Sequence, residues 1–108
     1  ILIHSNNQNT VYLETPFYLK DGHGATSVLQ SEKLNNPIAH FLIACIVKVI
    51  HKKFHYNAKA TKIELKRTEI SLPIKDGEPD YLLMENYISA IQKLTVKKVI
   101  SYLDGKMI

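Results

Sequence analysis

The chain has 108 residues and a mass of 12.3 kDa, is 45% hydrophobic, and carries a formal net charge of +4. This is the size of one domain or part of one, with apolar content for a modest core. No apolar run approaches the roughly 20 residues that cross a bilayer, and the start lacks a signal peptide's basic and apolar regions.

The opening Ile1-Leu2-Ile3, without an initiator Met, reads as a piece of a longer or processed protein. The polar residues 4–9 read as a loop. Residues 10–13 and 17–20 are β-branched or aromatic enough for short strands, separated by Thr15-Pro16. Asp21-Gly22-His23-Gly24 is a turn signal, because its glycines permit positive φ, and residues 26–29 are expected as the returning strand of that hairpin.

A helix follows. Asn36 is expected to cap it, with Pro37 in its first position. Ile38, Phe41, Leu42, Cys45, Ile46, Val49 and Ile50 recur at helical spacing and define a core face, and the helix is predicted to end near residues 51–54. Cys45, the single cysteine, reads as a small core residue; one thiol allows no internal disulfide and fits a reducing cytoplasm. Tyr56-Asn57 reads as a turn. Residues 61–65 and 69–72 are expected as strands, the second closed by Pro73.

Residues 75–80 form a second turn signal before a second helix, whose stripe is Met84, Tyr87, Ile88, Ile91, Leu94, Val99, Ile100 and Leu103. Thr95-Val96 weakens its middle, and Gly105 is placed to stop it. Acids Asp76, Glu78, Asp80 and Glu85 at its start, and Lys93, Lys97, Lys98 and Lys106 toward its end, offset the helix dipole. The fold class expected is α+β: a small mixed sheet, one packed helix and a C-terminal amphipathic helix.

Charge is concentrated in one place. Residues 48–67 hold Lys48, Lys52, Lys53, Lys59, Lys62, Lys66 and Arg67 against Glu64 alone, a local charge of +6, so the remainder of the chain sums to −2. A local basic patch is the footprint of a polyanion partner. Within it, Lys52-Lys53-Phe54-His55-Tyr56-Asn57-Ala58-Lys59 sets cations beside flat rings and an amide. Lysines neutralise phosphates and release counterions, while Asn can bond an adenine edge in two places. The competing reading is a solvated helix end, where lysines are favoured by the dipole in any case.

Other motifs are weaker. His51 and His55 are four residues apart, a zinc-ligand spacing, but no Glu lies between them in an H-E-x-x-H pattern and no third ligand is evident. Glu64-Leu65-Lys66 has the E-x-K form of nuclease centres, which need an earlier acid; only Asp80, later in the chain, offers itself. The alternation of Lys62, Glu64 and Lys66 with Ile63 and Leu65 is otherwise that of a half-buried strand. The segment 22–27 lacks the spacing and the Lys of a phosphate loop, and Asn35-Asn36-Pro37-Ile38 lacks the second Pro and the aromatic of an amino-methyltransferase motif. No Ser–His–Asp or Cys–His set for nucleophilic attack is evident.

The order of motifs carries a resemblance. An amphipathic helix runs into Lys53-Phe54-His55-Tyr56-Asn57-Ala58-Lys59-Ala60, followed by Ile70-Ser71-Leu72-Pro73, Asp76-Gly77-Glu78-Pro79-Asp80, and Met84 before an Ile/Leu-rich helix. With Pro16-Phe17-Tyr18 and Val28-Leu29 upstream, this resembles the later half of a target-recognition domain of restriction–modification systems, in type I specificity subunits or related type II enzymes. The resemblance implies a DNA-reading module without catalysis or cofactor of its own, located in the cytoplasm. It divides the chain into residues 1–80, a partial recognition domain, and residues 81–108, a connecting or docking helix. It places residues 54–60 near DNA and implies a methyltransferase subunit or domain as protein partner. The expected contacts are Lys52, Lys53, Lys59 and Lys62 on phosphates and His55, Tyr56 and Asn57 in a groove, with Lys20 and His23 as weaker candidates. Two rivals stand beside it. One is a structural fragment whose last helix docks a partner; the other is a metal-dependent nuclease built on Glu64, Lys66 and Asp80.

Overall fold

The computed structural model describes residues 1–17 and 25–106. Its elements in chain order are strands β1 (Leu2–His4), β2 (Thr10–Val11) and β3 (Thr26–Val28), helices α1 (Asn36–Lys53) and α2 (Lys62–Lys66), strands β4 (Ile74–Lys75) and β5 (Glu78–Pro79), and helix α3 (Tyr81–Lys106). This is an α+β fold. Where a mixed sheet is expected, every pairing among the described residues is antiparallel: β1 lies between β2 and β3, and β4 pairs with β5.

The first sheet departs from the expected hairpin. No strand is expected at residues 2–4, yet β1 is the central strand, with Leu2 opposite Val11 and Val28. Residues 5–8 close the β1–β2 hairpin. Gln8 takes φ 58°, and its buried side-chain amide donates to Ser5 O at 2.8 Å, which holds the tight return in place. β3 pairs with β1. Phe17 lies outside any strand and is exposed; residues 18–24, with Lys20, His23 and the expected glycine turn, lie outside the described residues.

α1 starts one residue earlier than read. Asn35 is the N-cap, its Oδ1 accepting from Ile38 N–H at 2.9 Å, and Asn36 and Pro37 fill the first turn. Ala39, Ile46 and Ile50 meet Ile1 and Ile3 of the sheet, and Phe54 and Ala60 complete the core cluster. A second face of α1 takes α3: Met84 is fully buried, and the Phe41 and Tyr87 rings stand edge to face, 5.8 Å apart at 85°. Cys45 is half-buried, lining the α1–α3 groove with Phe41 and Tyr87.

The expected strands at 61–65 and 69–72 do not form. Thr61-Lys62-Ile63-Glu64 is instead a helix start: Thr61 Oγ1 accepts from Glu64 N–H at 3.3 Å, and α2 follows. Residues 68–73 have no regular structure. The turn at 75–80 is a two-residue hairpin, with Asp76 at φ 54° and Gly77 at φ 80°; two successive positive φ values are the type I′ requirement that Asp-Gly meets. Asp80 then caps α3, its Oδ1 accepting from Leu83 N–H at 3.1 Å while its own N–H donates to Pro73 O.

α3 neither breaks at Thr95-Val96 nor stops before Gly105. Thr95 Oγ1 donates back to Ile91 O at 2.9 Å, and the helix runs through to Lys106. Residues 90–105 are all exposed. This protruding helix gives a Cα radius of gyration of 17.1 Å, where a compact chain of this length has roughly 13 Å. No helix among the described residues is long and apolar enough to cross a membrane.

Candidate nucleic-acid interface

α1 ends because Phe54 turns to extended backbone and enters the core, 5% exposed, while its N–H still donates to Ile50 O. Six residues later Ala60 is fully buried, and its N–H donates to Ser5 O at 3.0 Å. The chain between these two fixed points is held outward. His55 and Ala58 exchange two backbone hydrogen bonds of 3.0 Å, which forces Tyr56 and Asn57 to the tip of a tight turn. Asn57 N–H donates to His55 Nδ1 at 3.2 Å, so the neutral ring carries its proton on Nε2.

All seven residues singled out in the sequence, Lys52, Lys53, His55, Tyr56, Asn57, Lys59 and Lys62, are exposed, with Tyr56 at 72%. Lys59 Nζ lies 5.6 Å from the Tyr56 ring centroid, a cation alongside an open aromatic face. Lys53 Nζ lies 5.3 Å from the Phe54 ring and donates to Thr68 Oγ1 at 3.0 Å. That bond ties the end of α1 to the residues that follow α2, so the two short basic segments border one region. Within the segment 54–60, Phe54 and Ala60 are buried anchors and residues 55–57 and 59 are exposed.

The helix at Lys62–Lys66 changes how closely its cations stand. In a strand Lys62 and Lys66 would share a face about 13 Å apart with Glu64 between them; in α2 they are one turn, about 6 Å, apart. Ile63 is 64% exposed, unlike a half-buried strand residue. The acid of the patch, Glu64, lies 3.9 Å from Arg67 in an exposed pair. One residue escapes sequence reasoning. Thr68 braces Lys53, which no local signal reveals. Lys48, the first lysine of the basic segment, lies one turn before Lys52, and both line a surface groove of about 390 Å³ with Cys45, Val49 and Ser71.

The rival chemistries find their residues in other tasks. α1 ends between His51 and His55, so they share no helix face; His51 Nε2 lies 3.4 Å from Gln8 O. Glu64 pairs with Arg67 and Asp80 caps α3. Among the described residues no three His, Cys, Asp or Glu side chains converge on a common point. His40 is exposed, its Nδ1 2.7 Å from Asn36 O.

Comparison of the chain with protein-family models, with curated proteins and with solved structures finds no match.

Proposed function

We propose that the turn between α1 and α2 grips duplex DNA, and that the chain is the recognition module of a restriction–modification system, of the specificity-subunit kind. In this reading Lys52, Lys53, Lys59 and Lys62 bind phosphates and set the register. His55, Tyr56 and Asn57 enter a groove and read it. A methyltransferase or endonuclease partner supplies the chemistry, and the work is done in the cytoplasm. The observation that carries the proposal is the way the turn is displayed: Phe54 and Ala60 are buried on either side of a tip whose Tyr56, Asn57 and Lys59 are uncovered, with exposed Lys52 and Lys53 before it and Lys62 after it. A helix end that merely offset its own dipole would need cations in its last turn, where His51, Lys52 and Lys53 lie; Lys59 and Lys62 lie beyond it.

Titration of a labelled duplex tests the proposal. The chain binds it at low salt, and a Lys53→Ala, Lys59→Ala double variant binds all duplex sequences more weakly. An unchanged affinity in that variant removes the patch from the account. Incubation with DNA and magnesium separates the nuclease rival, for which cleavage is the required result. The docking rival is favoured by one observation, the exposed apolar side chains of the outer part of α3.

A further inference from the structure

The outer part of α3 serves neither the core nor the basic turn. Most of the larger apolar side chains of α3 fall into two sets, with Leu94 and Tyr102, both exposed, outside them. Met84, Tyr87, Ile88 and Ile91 lie on the side of α3 that meets α1, and the last three line the α1–α3 groove. Val96, Val99, Ile100 and Leu103 follow, each between 51% and 58% exposed. At about 100° per residue the second set is turned by roughly a third of a revolution from the first. It is therefore a separate stripe and not a prolongation of the core face. Thr95, Val96, Val99 and Ile100 are β-branched, and a short helical segment with that content is marginal in water without tertiary packing.

The charges beside this stripe say what covers it. Lys97 follows Val96 and Asp104 follows Leu103, so the two are seven residues apart on the same flank. Neither is in an ion pair among the described residues. When two identical helices pair antiparallel, a flank meets the same flank of the other copy. Lys97 then faces the partner's Asp104, and the two-fold repeats the pair in the opposite sense. Ile100 packs against the partner's Leu103 in the same register. Parallel pairing would instead bring Lys97 toward the partner's Gln92 and Asp104 toward the partner's Val99, with no complementary charge.

We infer that two copies of this chain associate through antiparallel pairing of the outer halves of α3, with Val96, Ile100 and Leu103 as the seam and two Lys97–Asp104 pairs along one edge. The overlap is only about three turns, so the association is weak, with a dissociation constant on the order of tens of micromolar. The inference is independent of DNA binding and leaves the basic turn free.

Sedimentation equilibrium of the chain from ~5 to ~500 μM measures it. A monomer–dimer equilibrium is expected. Lys97→Asp alone and Asp104→Lys alone each set like charges opposite one another and weaken the dimer by about fivefold or more. The double variant Lys97→Asp, Asp104→Lys reverses both pairs and restores the original constant, while Ile100→Ser leaves a monomer. Thermal unfolding of each variant confirms that the core built on Ile50 and Met84 is retained. A chain monomeric at every concentration overturns the inference, as does a dimer insensitive to the single charge reversals or one that the double reversal fails to restore.

Discussion

Lysine is concentrated at two places in this molecule, and the two settings differ in everything but charge. Around residues 52–62 the lysines flank an exposed turn carrying Tyr56 and Asn57: Lys52 and Lys53 end α1, Lys59 lies between the buried anchors Phe54 and Ala60, and Lys62 opens α2. At 93–98 they lie on a regular helix beside an exposed apolar stripe. The first displays cations and flat polar groups around Tyr56 and Asn57. The second offers an apolar seam with charges at its border, the layout of a helix–helix contact. Charge density alone does not separate a polyanion site from a protein contact; the side chains between the charges do.

The largest effect should come from making one substitution in both regions. Ile50→Ala removes a side chain that is 1% exposed in the core beneath the basic turn, and should cost about 2–5 kcal/mol. Ile100→Ala removes one that is 53% exposed, and in dilute solution should change stability by less than about 0.5 kcal/mol. Thermal or urea unfolding of the two variants checks this. Comparable losses would mean that the outer half of α3 is packed.

Next in size, Lys53→Ala with Lys59→Ala should weaken duplex binding by roughly tenfold at low salt, whereas Lys97→Ala with Lys98→Ala should change it by less than about twofold. Equal losses would merge the two surfaces into one diffuse positive field. The smallest effect is expected at the cap of α2. Thr61→Ala removes the acceptor for Glu64 N–H and should cost about 1 kcal/mol. Because α2 is five residues long, the loss should appear as faster amide exchange at Leu65 and Thr68, with the amide of Ile50 unaffected.

How much of this was legible depended on how local each signal is. α1 was readable because seven apolar residues repeat at helical spacing behind an Asn-Pro start, and only the choice between two adjacent asparagines was missed. The I′ turn was readable from Asp76-Gly77 alone. α2 was missed because five residues fit an alternating strand as well as a helix, although the Thr61-x-x-Glu64 pattern of a capped start was present. β1 was missed because a three-residue strand has no period of its own, and its place at the centre of the sheet is set by partners up to 26 residues away. At the candidate site, the charged and polar residues stood out by type. What holds them outward, Phe54 and Ala60 in the core and Thr68 against Lys53, depends on contacts that no window of sequence contains. The single stripe read along α3 proved to be two, because covering the first requires α1 to be in place.

The most direct test of the central claim is the salt dependence of duplex binding. The logarithm of the binding constant is plotted against the logarithm of salt concentration for the chain and for the Lys53→Ala, Lys59→Ala variant. If the turn beyond α1 grips phosphates, the chain should give a slope of about −3 to −4 for its four candidate phosphate lysines, and the variant a slope shallower by about 2. Parallel lines for the two proteins would contradict the account, because the lysines of the turn would then be releasing no counterions.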